Sequence, residues 1–90
     1  MGNSNNVFVV TRQRISASDY RSNGYIDMDV FLEKSSASAI FNEWREEELN
    51  ERVRLNDEYE ILSDSREKFH CAWDCHLEMV IISINRHVVK

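Results

Sequence analysis

Short apolar runs and alternations along the chain predict five strands and one helix. Val7 to Val10, four β-forming residues in a row, begin a strand that reads to Arg12. A polar stretch from Gln13 to Gly24 follows and ends on the turn signal Asn23-Gly24. It reads as a mobile loop at 13–24, after an N-terminus expected to fray over 1–6. From Tyr25 to Glu33, Ile26, Met28, Val30 and Leu32 alternate with Tyr25, Asp27, Asp29 and Phe31. That period of two predicts a strand with the first set buried and the second facing solvent.

Ser35 and Ser36 offer N-caps for a helix. Ala37, Ile40, Phe41 and Trp44 then recur at helical spacing, and Asn56-Asp57 marks a stop after Leu55. The stripe breaks at Glu48, one turn past Trp44, while Leu49 and Val53 lie off its line. The second half of the helix is therefore expected to project, bend or pack on something else. Tyr59 to Leu62 is a short strand and Ser63-Asp64-Ser65 a turn. From Glu67 to Asp74, Phe69, Cys71 and Trp73 share one parity; from Leu77 to Val89, Val80, Ile82, Ile84 and Val88 share another. The order β-β-α-β-β-β predicts an α+β fold, a mostly antiparallel sheet of four to five strands covered by one long helix.

Size and composition limit what such a fold can do. Ninety residues make one small domain with a modest core. With glycine only at Gly2 and Gly24, the glycine-patterned phosphate cradles and the strained serine elbow cannot be built. The polar start Met1 to Asn6 lacks the charged opening of a secretory signal, and no apolar run exceeds four residues, so a cytoplasmic setting away from membranes is expected. Two cysteines, Cys71 and Cys75, are too few for a disulfide scaffold.

Several residues are candidates for chemistry. His70, Cys71, Cys75 and His76 are zinc-ligand types at short spacing, but strand alternation sends His70 and Cys71 to opposite faces. A nucleophilic cysteine needs a basic neighbour, and Asp74 and Glu78 are acidic. Asp27 and Asp29 read as the solvated side of their strand. Tyr25 and Phe31 beside them could stack bases, but the carboxylates have the wrong sign for a phosphate backbone, leaving an edge cover or a protein contact. These residues predict no enzyme and no cofactor.

Charge is more informative. The net charge of −5 disfavours a duplex-DNA binder. Between Glu43 and Asp64 lie nine acids and three bases, net −6, so the rest of the chain is close to neutral. Glu43, Glu46, Glu47 and Glu51 share one side of the helix at i, i+3 and i, i+4 spacing, with Asp57 and Glu58 just beyond. Such a run is either an ordinary solvated face or a surface that draws in a Lys- and Arg-rich partner.

The passage Met28 to Ala37, the acidic run from Glu43 to Asp64 and the lack of catalytic motifs resemble the layout of small acidic early proteins of tailed bacteriophages. Some of those proteins take over host factors. A subset mimic DNA, and the bacterial histone-like protein HU is one known target. The resemblance implies a viral inhibitor in the host cytoplasm that occupies the nucleic-acid-binding surface of a basic host protein without binding nucleic acid itself. Glu43, Glu46, Glu47, Glu51, Asp57 and Glu58 would be its contacts. The alternative is a protein–protein interaction module with a hydrophobic interface, a homodimer among its forms, using Leu49, Val53, Tyr25 and Phe31.

Overall fold

A computed structural model describes residues 5–16 and 26–89 and shows the α+β architecture that the pattern predicts. Its elements are β1 (Asn5–Ser16), β2 (Ile26–Phe31), α1 (Lys34–Arg54), β3 (Tyr59–Asp64), β4 (Lys68–Trp73) and β5 (Glu78–Val89). The strands form one antiparallel sheet in the order β2-β1-β5-β4-β3. β1 and β5 are its long central pair, in register from Asn5 opposite Val89 to Ser16 opposite Glu78. Residues 13–16, expected in a loop, thus belong to β1, where β5 supplies ladder partners for their polar backbone. Residues 1–4 and 17–25 lie outside the described residues, and with them Tyr25 and most of the expected loop.

α1 lies on one face of the sheet. The core between them holds Ala37 and Phe41 of the helix against Val10, Phe69, Cys71, Val80, Ile82 and Ile84, as the strand parities predict. Val88, placed by the same pattern on the buried face, is exposed near the end of β5.

Both helix ends depart from simple sequence signals. Ser35 and Ser36 lie inside the first turn instead of capping it; Glu33 is the extended N-cap and makes no side-chain cap bond. At the other end Asn56 takes a left-handed φ of 57°. Its N–H donates to the Val53 carbonyl (3.1 Å), and that of Asp57 donates to the Arg52 carbonyl (2.9 Å). This is a Schellman closure with asparagine in the place glycine usually takes, so Asn56-Asp57 does stop the helix.

β2 presents the faces opposite to those expected. Phe8 pairs with Phe31, Val10 with Asp29 and Arg12 with Asp27, so the odd-numbered residues of β2 turn toward α1. Phe31 packs against the core, while Ile26, Met28 and Val30 are 56, 64 and 54% exposed on the other side. Leu32 is exposed as well. This register packs the largest apolar side chain of the strand against the core and gives half-buried Arg12 a carboxylate partner, which the reverse orientation would not do.

Candidate functional site

The second half of α1 stays on the sheet, held there by charge. Alternation along β1 places Phe8, Val10, Arg12 and Arg14 on the helix side, so this face turns from apolar to basic along the strand. The helix changes in step, from buried Ala37 and Phe41 to buried Glu48 and Arg52. Glu48 accepts hydrogen bonds from Arg14 Nη2 at 3.0 and 2.8 Å and from Arg12 Nη1 at 3.2 Å. Arg12 also donates to Glu47 (2.9 Å) and Asp27 (3.0 Å), and its guanidinium stacks on Trp44. Burial works against the Arg12 charge, but the bonds to Glu47 and Asp27 and the field of Glu48 outweigh it and raise its pKa.

Two more arginines join helix to sheet through aromatic rings. Arg45 lies over Phe69 and grips Asp64 at 2.9 and 2.7 Å. Arg52 stacks 3.6 Å above Trp73 and pairs with Asp57 at 3.3 Å, while its buried Nε has no hydrogen-bond partner among the described residues. The open cleft between α1 and β1 is lined by Arg12, Arg14, Glu47, Glu48, Asn50, Glu51 and Arg54. Its charges are largely matched to one another, so it has the chemistry of a structural clasp.

These pairings bear on the acidic contacts predicted from sequence. Glu47 pairs with Arg12, Glu51 with Arg54 and Asp57 with Arg52. Glu43, Glu46 and Glu58 are exposed and make no ion pair among the described residues. The six carboxylates therefore form no uniform acidic face: three carry a local counter-charge and three do not. Asp27, expected in solvent, is enclosed by Arg12, whereas Asp29 is exposed and accepts the Val30 N–H.

Among the described residues no element covers the sheet face opposite α1; Ile26, Met28 and Val30 are exposed there, and Val7, Val9, Ile15, Met79 and Ile81 are half-buried. Val7, Val9 and Ile15 of β1, Met79 and Ile81 of β5, and Ile26, Met28 and Val30 of β2 all point to it. At its centre the Thr11 and Ser83 hydroxyls bond one another at 2.9 Å. Lys68 and Glu60 have the parity of this face but lie toward the β4–β3 side. The sequence held a signal for this surface. Val7–Val10 and Met79–Ile82 are apolar at both parities, the mark of strands buried on both sides, and they fall on the two adjacent central strands.

Other predicted residues are scattered. Leu49 is half-buried against the core, Val53 is exposed on the helix, and Phe31 lies under α1, so these three of the expected apolar contacts do not form one surface; Tyr25 lies outside the described residues. Cys71 is buried in the core, where desolvation raises its thiol pKa. His70 points to the opposite face, its Nε2 3.4 Å from Met79 Sδ, while Cys75 and His76 lie in the β4–β5 turn. Among the described residues no group of three or more His, Cys, Asp or Glu side chains could hold a metal ion. No helix is long and apolar enough to cross a membrane.

The chain matches no family model, no curated protein and no solved structure.

Proposed function

We propose that this chain is a non-enzymatic protein-interaction module whose docking surface is the uncovered apolar face of its sheet. One observation carries the reading: a five-stranded sheet covered by a helix on one side bears aliphatic residues on the other. A layered domain normally covers such a face, and a large exposed apolar patch marks an interaction site. A flat, weakly charged protein surface is the partner chemistry it suits.

The unpaired carboxylates of Glu43, Glu46 and Glu58 favour a second reading, in which a basic, nucleic-acid-binding host protein is held by an acidic ridge and kept from DNA. Local arginines counter the other three acids and thin the charge available for that role.

One footprinting experiment separates the readings. Peroxide oxidation of Met28 and carbodiimide labelling of Glu43 and Glu46 are followed by mass spectrometry. The full chain is measured dilute, concentrated, and in nuclease-treated bacterial extract at low and high salt. Docking through the sheet predicts salt-resistant protection of Met28 on concentration or in extract. Protection of the two glutamates that vanishes at high salt, with Met28 still reactive, would replace the first reading with the second.

A further inference from the structure

The docking surface has a specific occupant: we infer that it is a second copy of this chain, packed sheet to sheet in a two-fold homodimer. The inference rests on the proposed interaction reading and deepens it.

Area is the first argument. The apolar part of the face is β2, β1 and β5, whose 6, 12 and 12 residues give nearly 500 Å² at about 4.8 Å between strands and about 3.4 Å per residue. β4 and β3, which add Lys68, His70 and Glu60, bring it to roughly 700 Å², close to the ~800 Å² that each partner contributes to a standard stable interface. A small peptide would leave much of this face wet, whereas an identical sheet matches it in size.

Self-complementarity is the second. A two-fold contact sets one surface against itself, so any net charge on it meets its like. Among the described residues of β2, β1 and β5, the side chains on this face carry no Asp, Glu, Lys or Arg. Val9, Met28, Val30 and Ile81 can interdigitate with their counterparts across sheets about 10 Å apart. The Thr11–Ser83 hydrogen bond already satisfies the central hydroxyls in part, which lowers the cost of drying them.

The third argument is where the charge goes. The chain carries −5, and its acid-rich segment lies largely on α1, on the far side of the sheet. Stacking two sheets keeps both helices outermost, about 30 Å apart if each layer spacing is about 10 Å. That exceeds the Debye length of about 8 Å at physiological salt, so the repulsion between copies is screened. The same negative charge disfavours an anionic membrane as occupant. Nucleic acid is disfavoured too, because the described residues of this face offer neither an aromatic platform nor a basic groove.

Sedimentation velocity on the full chain, from about 1 to 100 µM, tests the inference on the usual scale of specific association. The wild-type chain is expected to sediment at twice the monomer mass. Met28→Lys with Val30→Lys, two exposed positions on edge strand β2, should raise the dimer dissociation constant by at least about 100-fold, since burying unpaired ammonium groups is strongly unfavourable. Its far-UV circular dichroism should remain that of the wild type. Val53→Lys, exposed on the helix at the opposite face, should leave association unchanged.

A wild-type chain that stays monomeric at the highest concentration overturns the inference, as does a well-folded double variant that dimerises normally. The footprint tells the two failures apart. A monomer whose Met28 is protected in extract keeps the interaction reading and loses the self-association; a monomer whose Met28 stays reactive everywhere loses both.

Discussion

Glu48 decides how the second half of α1 is held. Its carboxylate is only 1% exposed, and two guanidiniums lie within 3.2 Å of it. Removing it leaves Arg14 without its only ion-pair partner among the described residues and leaves Arg12 to Asp27 and Glu47. Glu48→Ala is therefore expected to cost about 3 kcal/mol in urea unfolding, at the lower end for a broken buried pair. Glu48→Met combined with Arg14→Met should recover most of that loss, because apolar replacement of both partners is often neutral. A loss below about 0.5 kcal/mol for the single variant, the range of ordinary surface changes, would show that water already solvates the cluster. The sequence displayed Glu48 as a gap in an apolar stripe and left its meaning open. Its counterpart was visible only as two arginines two residues apart on a distant strand, and nothing local says that β1 lies beneath that turn of the helix.

At the scale of the elements, five strands and a helix were legible because each carries its own periodicity. The faces were less so. Alternation in β2 separates two sets of side chains but does not say which one a helix will cover. Phe8 opposite Phe31 and Arg12 opposite Asp27 settle that, and both are long-range pairings. The β4–β5 hairpin shows a further element-level feature. Asp74, Cys75 and His76 adopt positive φ angles of 55, 54 and 66° in succession, without a glycine among them. Each such residue costs roughly 1 kcal/mol relative to right-handed backbone. Cys75 is exposed and free, so Cys75→Gly removes one strained position without disturbing the core. Glycine's larger unfolded-state entropy offsets part of the gain. The variant is expected to raise stability by about 0.5 kcal/mol and, where chemical denaturation is followed at fixed concentration, to shift the midpoint upward with an unchanged slope. A lowered midpoint would mean that the turn is held by contacts of the Cys75 side chain.

Over the whole molecule, the proposed docking of the apolar sheet face would link stability, association and pH through His70. Its ring shares the open face with Met79, and burial is the main cause lowering its pKa from 6.5, with Lys68 and His76 adding repulsion. Because the folded pKa lies below the unfolded one, the unfolded chain binds the proton more readily in the window between them. Stability is therefore fully present above about pH 6.5 and falls as pH drops through that window toward the folded pKa. Covering the face with a second sheet would bury the ring further and widen the window. Acidification should then loosen the dimer before the carboxylates begin to titrate. Asp64 is held below its ordinary pKa by the Arg45 hydrogen bond, so the contribution of that pair is lost only at still lower pH, as the value of 3.8 is passed and the folded pKa is reached. Sedimentation between about pH 7.5 and 5 should show the dimer weakening as the pH falls. His70→Gln, which keeps a polar group beside Met79 without a titrating ring, should flatten that profile while leaving the acid unfolding limb in place. An equally steep profile in the variant would move the pH response to other groups and leave His70 a bystander on the open sheet.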